Sequence, residues 1–388
     1  MSSIIEREHR AVMQTYGRTP VVFVEGRGSW LFDEHRKRYL DCLTGLAVVS
    51  VGHANPRVAE AVSEQMRRLV HVSNLYYTEP MVQLAEKLRS RSGLDRIFFA
   101  NCGATANEAA IKLARRWGQT TKGDHCYEIV SLNDSFHGRS LATLAATGQP
   151  AKQATFQPLP PGFRQVPGGD LAAMEEAVNA STAAVMVETT QGEGGVVPLS
   201  AGYLTALRAL CDERQVLLIV DDVQAGMGRT GSWFSWQQLG FAPDIATVAK
   251  ALANGLPIGA AMAGEAVAEA FRPGDHATTF GGGPVVCAAA NAVFAEMEDR
   301  DVLANVAARS EQLRAGLESL AGVASVRGRG LLCAAVLEDD RAAEVAATAL
   351  AAGLIVNAVR PDAVRFAPPL TITEDEVATA VGLFGDSL

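Results

Sequence analysis

Nowhere in this chain do two cysteines stand two or three residues apart, which excludes a zinc ribbon and a CxxC redox pair. The six thiols, at Cys42, Cys102, Cys126, Cys211, Cys287 and Cys333, are scattered over 388 residues, a pattern that fits a reducing compartment. Basic charge is also short. Lys and Arg number 34 against 43 Asp and Glu, a net charge of −9, so there is no basic footprint for nucleic acid or an anionic membrane. The most apolar stretch, Val285 to Ala295, is too short to span a bilayer. The first residues, MSSIIEREHR, are charged and lack the apolar core of a signal peptide. No internal repeat or low-complexity tract occurs, and nothing signals a metal site. These absences point to a cytoplasmic globular enzyme with no nucleic-acid or membrane partner.

What is present is a chain 48% hydrophobic and 20% charged, the balance of a protein that buries a core, and long enough for about two or three domains. Val21–Glu25 and Trp30–Phe32 read as a small antiparallel unit around Gly26 and Gly28. Val58, Ala61, Val62, Met66 and Leu69 have helical spacing over Pro56–Leu69. From about residue 96, short apolar runs alternate with helical stretches: Ile97–Ala100, Ile129–Leu132, Ala183–Val187, Val216–Val220, Ile245–Ala249 and Ile258–Met262. Continuous runs of this kind are strands covered on both faces, and their alternation with helices predicts a doubly wound α/β sheet. Pro150–Gly169 holds five prolines and reads as a surface excursion. After about residue 296 the pattern becomes that of a smaller α+β unit. The division expected is therefore 1–45 joining the small domain, 46–295 a large domain, and 296–388 a small C-terminal domain.

In open α/β sheets, ligands gather at the carboxyl ends of strands. After Phe98-Phe99-Ala100 comes Asn101-Cys102-Gly103-Ala104, opening a helix, where free N–H groups and the positive dipole end can cradle a phosphate. After Val216–Val220 comes Asp221. Lys250 follows Ile245–Ala249, 29 residues beyond Asp221, in apolar company that would lower its pKa and favour an amine nucleophile. Each signal has a plain structural alternative: packing geometry for the glycine turn, a solvated strand end for the acid, a snorkelling side chain for the lysine. Together they are what pyridoxal phosphate requires: donors for the phosphate, an amine for a Schiff base, and a carboxylate to keep the pyridine nitrogen protonated. Opposite charges ~4 Å apart at an effective dielectric of ~20 attract by about 4 kcal/mol, enough to hold that proton.

At these residues the chain resembles the class III, pyridoxal-phosphate-dependent aminotransferases of fold type I. The likeness runs nearly end to end through SNLYYTEP, NCGATANEAAIKLAR, SFHGR, QGEGG, DDVQAGMGRTG, AKALANGLPIGA and TTFGGGP to VRFAPPLTITEDEV. Within the family it is most similar to the members acting on N-acetylornithine. The resemblance implies a mostly parallel central sheet, a smaller α+β domain, pyridoxal 5′-phosphate as cofactor and a homodimer with shared sites. It implies that Lys250 carries the cofactor and moves the proton, and that Asp221 pairs with the pyridine N–H. Val223 and Phe136 would enclose the ring, Gln224 approach its hydroxyl, and Gly103 and Ala104 bind the phosphate. Thr279 would reach the neighbouring subunit's phosphate. Arg365 would hold an α-carboxylate and Arg139 a second carboxylate, with Glu193 pairing with and releasing an arginine. His137 is expected to be a satisfied hydrogen-bonding histidine.

Cys102, Thr105, Thr189, Asp222 and Gly283 depart from the family's usual Ser or Thr, Glu, Pro, Glu and Asn. Leu46 stands where ornithine-type relatives tend to carry a tyrosine, which favours an acetylated amine over a free one. The expected substrates are thus N-acetylornithine and 2-oxoglutarate, with ornithine, succinyl-diaminopimelate or 4-aminobutyrate as alternative donors.

Overall fold

A computed structural model describes residues 3–388. Three strands, β1 (Phe23–Arg27), β2 (Trp30–Asp33) and β3 (Arg38–Asp41), form an antiparallel ribbon. Its first turn is Gly28-Ser29, and the glycine takes φ 56°, which a side chain would oppose.

Seven strands build the central sheet. In chain order β4 (Arg96–Ala100), β5 (Glu128–Leu132), β6 (Phe163–Val166) and β7 (Thr182–Val187) come first. A short hairpin, β8 (Thr190–Gln191) with β9 (Val197–Pro198), intervenes before β10 (Leu217–Asp221), β11 (Ile245–Val248) and β12 (Gly259–Ala263). The spatial order is β4-β12-β11-β10-β7-β5-β6. Only β12 runs against its neighbours, so the sheet is mostly parallel. Every residue of β7, β10, β11 and β12 is buried, because helices cover both faces. The helix Gly103–Lys122 lies close on the sheet through Ala106, Ala110 and Ala114. At Gly118 an added Cβ would stand 2.5 Å from the Cys126 carbonyl, so only glycine allows that approach.

The stretch Pro150–Gly169 departs from the surface excursion expected of it. It contains β6, an edge strand parallel to β5. Phe163-Arg164-Gln165-Val166 is only partly covered, with Val166 alone fully buried, so it lacks the apolar run by which the interior strands are read.

The C-terminal third forms a second antiparallel sheet of β13 (Val323–Arg329), β14 (Leu332–Leu337), β16 (Asn357–Arg360) and β17 (Ala363–Phe366), ordered β13-β14-β17-β16. Between them β15 (Leu354–Ile355) pairs in parallel with β3, tying this part of the chain to the N-terminal ribbon. Among the described residues no helix is long and apolar enough to cross a membrane.

The parallel strands β4, β7, β10 and β11 deliver Asn101, Glu188, Asp221 and Lys250 to one edge of the sheet. Asp222, next after β10, points into the protein and is 1% exposed. Its Oδ2 accepts the Ser235 N–H at 3.0 Å, and its Oδ1 has no partner. Burial lifts its pKa from 3.8 to about 7. The folded chain therefore keeps a proton that the unfolded chain releases above about pH 4. The resulting penalty is absent below that pH, grows as pH rises, and is complete above about pH 7. Thermal unfolding without added ligand is thus expected to show Asp222→Asn gaining stability relative to wild type between pH 5 and pH 8, by about 3 kcal/mol. Calorimetry of both proteins across that range checks it, and a pH-independent difference would contradict it.

Candidate active site

A cavity of about 390 Å³ opens at the carboxyl ends of these strands. Eight of the residues singled out from the sequence line it: Gly103, Ala104, Phe136, Arg139, Asp221, Val223, Gln224 and Lys250. Gly103 and Ala104 are the first residues of the helix Gly103–Lys122, and first-turn amides have no partner within their own helix. A Cβ on Gly103 would meet Val223 Cγ1 at 2.7 Å, so this turn presses its backbone against the cavity wall. Gly138, at φ 142°, does the same opposite Ala104, whose Cβ would lie 2.9 Å from an added methyl.

Asp221 ends β10 and is 4% exposed. Its Oδ2 accepts hydrogen bonds from Asn107 Nδ2 and His137 Nδ1, both at 2.8 Å. Its Oδ1 accepts the Val223 N–H at 3.1 Å. His137 is hydrogen-bonded as expected, but its partner is this acid, and its buried Nε2 has none. Glu188, after β7, binds two loops at once through the N–H of Phe136 at 2.9 Å and that of Gly192 at 3.3 Å. Burial, opposed by His137, raises its pKa to about 7. Neither Asn107 nor Glu188 was given a role from the sequence, and His137 was expected only to be hydrogen-bonded. For Asn107 the available signal was its place one turn into the helix after the glycine turn, on the face toward Asp221.

Lys250 follows β11 with φ 42°, a left-handed conformation that costs about 1–3 kcal/mol away from glycine. Buried neighbours Ala249, Ala251 and Leu252 hold it there. Burial lowers its pKa, Arg365 adds to the shift, and Glu193, Asp221 and Glu188 oppose it. The amine is therefore more readily neutral, and nucleophilic, than a surface lysine.

Arg365, in β17, is 1% exposed and donates through Nη1 to Glu193 Oε1 at 2.6 Å and to Gln224 Oε1 at 3.1 Å. Its buried Nη2 has no partner. Glu193 is held below its ordinary pKa by this ion pair despite burial. Arg139 is exposed beside the cavity, with no carboxylate in ion-pair reach among the described residues. Its guanidinium sits 5.8 Å from the centre of the Phe136 ring, and Lys152 Nζ is equally far from that ring. Thr279 is exposed and stands apart from the cavity of its own chain.

The departures have local accounts. Thr105 Oγ1 accepts the N–H groups of Asn101 and Cys102 and donates to the Cys102 carbonyl, closing the turn without a glutamate. Cys102 is the one exposed thiol among the six. Thr189 donates to Ser235 at 2.6 Å. Gly283 caps the helix Pro284–Asp299. Leu46 sits in a turn, Thr44–Ala47, whose four residues all have positive φ, between 52° and 70°. Asp41 Oδ1 pins that turn by accepting the N–H groups of Leu43 and Thr44, and Thr44 Oγ1 donates to the Ala367 carbonyl at 2.7 Å.

Pyridoxal phosphate fits this donor set. The desolvated Lys250 amine, the buried Asp221 carboxylate and the open amides of Gly103 and Ala104 share one cavity. At Gly103 and Gly138 an added Cβ would collide with Val223 and with Thr143 and Ala104, so the cradle needs glycine at both positions.

The comparisons agree with the geometry. Residues 11–388 match the family model described as aminotransferase class-III. An acetylornithine aminotransferase from Gloeobacter violaceus is 48% identical over 377 residues, covering 96% of this chain and 94% of that protein. One from Methanocaldococcus jannaschii is 45% identical with the same coverage. Among solved structures, the ornithine aminotransferase of Toxoplasma gondii superposes with TM-score 0.94 at 31% identity, covering 99% of this chain and 93% of that one. The N-acetylornithine aminotransferase of Stenotrophomonas maltophilia gives 0.85 at 36% identity, covering 99% and 98%. The chain belongs to the class-III aminotransferases and is a pyridoxal-phosphate-dependent enzyme.

Proposed function

We propose that this enzyme moves the ω-amino group of N-acetyl-L-ornithine to 2-oxoglutarate, giving N-acetyl-L-glutamate 5-semialdehyde and L-glutamate, a step of arginine biosynthesis. The observation that carries the reading is the Glu193–Arg365 pair beside the Lys250 cavity. One site must accept two unlike substrates in turn. With Arg365 neutralised by Glu193, the cavity suits a donor bringing one carboxylate; with Glu193 withdrawn, it offers two cations to a dicarboxylate. Leu46 supports the acetylated donor, since its side chain has nothing to offer a free α-amine.

Pyridoxal phosphate, when bound, supplies an aldehyde that takes up the substrate amine and a ring that spreads the electrons left on the amine-bearing carbon. Asp221 would pair with the pyridine nitrogen and hold its proton. Gly103 and Ala104 would hold the phosphate, Phe136 and Val223 would enclose the ring, and Gln224 would approach its hydroxyl. Lys250 Nζ, its pKa lowered by burial, would move the proton between the amine-bearing carbon and the cofactor. Arg139 is the standing partner for the carboxylate common to both substrates, and Arg365 serves the second one. This divides the arginines differently from the sequence expectation, because Glu193 neutralises Arg365 and leaves Arg139 free.

A second copy of the chain completes the site in this reading. Leu75, Tyr76, Tyr77 and Phe280 are 82%, 68%, 97% and 68% exposed, a concentration of apolar surface unusual for a monomer. Asn74 ties them together by donating to the Thr278 and Gly281 carbonyls, and Thr279 lies in the same loop. Six free thiols support a cytoplasmic location.

Turnover with 2-oxoglutarate is expected to be strongest for N-acetylornithine and weaker for ornithine. Lys250→Ala should remove both the visible band of the bound cofactor and turnover, by on the order of 10⁴-fold or more. A clear preference for ornithine would reassign the donor. In separated half-reactions, Arg365→Ala should slow the glutamate half at least about tenfold more than the acetylornithine half, while Arg139→Ala slows both; equal losses in the first variant would refute the division. Sedimentation should give a dimer for wild type and a monomer for Tyr77→Asp with Phe280→Asp, and a monomeric, active wild type would exclude the shared site.

A further inference from the structure

Thr247 lies in β11 directly opposite Asp221 in β10, is fully buried, and does not line the cavity. Its Oγ1 donates to Asn107 Oδ1 at 2.6 Å. The other end of that amide faces two acceptors. Asn107 Nδ2 donates to Asp221 Oδ2 at 2.8 Å and to the His137 carbonyl at 2.7 Å. A carbonyl has no proton to give, and a carboxylate accepts, so the nitrogen end of the amide belongs there. The oxygen end is then left to Thr247, whose hydroxyl must be the donor. Asn107 is 1% exposed, so its Oδ1 has no solvent to fall back on.

The amide joins two parts of the cavity. One of its N–H bonds holds the acid of β10. The other holds the backbone at His137, next to Phe136. A hydroxyl that satisfies the amide oxygen also polarises the amide and strengthens both donors. Without it the oxygen is buried and unpaired, and the amide gains by rotating away from the arrangement that holds Asp221.

We infer that Thr247 is a positioning residue: its hydroxyl sets the Asn107 amide, which holds the Asp221 carboxylate and the Phe136–His137 segment in register for the cofactor ring. The inference rests on the functional reading above, in which Asp221 and Phe136 face that ring.

Thr247→Val keeps the shape and removes the hydroxyl, whereas Thr247→Ser keeps the hydroxyl and removes a methyl group. In Thr247→Val, kcat is expected to fall about tenfold with KM for both substrates within about twofold of wild type. Titration of the apoprotein with pyridoxal phosphate should show affinity weakened several-fold. Thr247→Ser should restore both. A valine variant equal to wild type in kcat and in cofactor affinity overturns the inference. So does a serine variant that falls as far as valine, because packing alone would then account for the loss. If the valine variant does not fold, Thr247→Ala takes its place against the same serine control. A wild-type protein that fails to bind pyridoxal phosphate at Lys250 refutes the functional reading itself. A wild type that binds and turns over, beside an unimpaired valine variant, refutes this inference alone.

Discussion

A carboxylate taken out of water needs hydrogen-bond donors, and the arrangement around Asp221 reflects that need. Three donors reach it, from Asn107, His137 and the Val223 backbone. Each comes from a different direction: the helix after β4, the loop after β5, and the turn that Asp221 itself begins. Satisfying one acid therefore fixes three segments relative to one another. The glycine cradle and the Phe136 loop are carried by two of them. Without these partners, burial of the acid would cost several kcal/mol.

The same economy of buried charge governs the far side of the cavity. Arg365 is as buried as any apolar core residue, and its carboxylate partner Glu193 sits on the loop beyond β8. Since β17 belongs to the C-terminal sheet and Glu193 to the turn of the β8–β9 hairpin between β7 and β10, this pair ties the C-terminal sheet to that hairpin. An ion pair of this kind is costly to break by deleting one partner, but it can be exchanged for another carboxylate that brings its own hydrogen bonds. That exchangeability is what a two-substrate site requires. The strained turn at Thr44–Ala47 is bound into the same region, since Thr44 donates to the carbonyl of Ala367, two residues after Arg365. Asp41, by accepting two amides of that turn, offsets part of the left-handed backbone's cost.

Much of the central sheet was legible because its interior strands are covered on both faces. Six apolar runs stand out, and each corresponds to a strand within one or two residues of its expected bounds. The seventh, β6, was hidden because its sequence, Phe163-Arg164-Gln165-Val166, is mixed, whereas β4 at the opposite edge keeps the apolar run Ile97–Ala100. The pairing of β15 with β3 was not visible, because it joins residues more than 300 positions apart, which local pattern does not encode. In the cavity, the residues at strand ends were legible because each stands immediately after an apolar run. Glu193 and Arg365 needed the family resemblance. Asn107 and Thr247 looked like ordinary helix and strand residues, because what distinguishes them is their contacts with Asp221 and with each other, and Glu188, although it stands directly after an apolar run, gave no sign of its bonds to the Phe136 and Gly192 amides.

Unaided, the amino-acid sequence reveals six strands of the central sheet, the cofactor-type constellation of glycine turn, acid and lysine, and the family. It could do so because apolar periodicity and short motifs are local properties of the chain. Packing settles the rest: which donors surround Asp221, that Arg365 is neutralised by Glu193 while Arg139 stands free, and that Asp222 turns inward beside an Asp221 that faces the cavity. These depend on which side chains meet when distant segments pack. In a buried, low-dielectric setting those meetings, more than residue type, set the charge and orientation of each group.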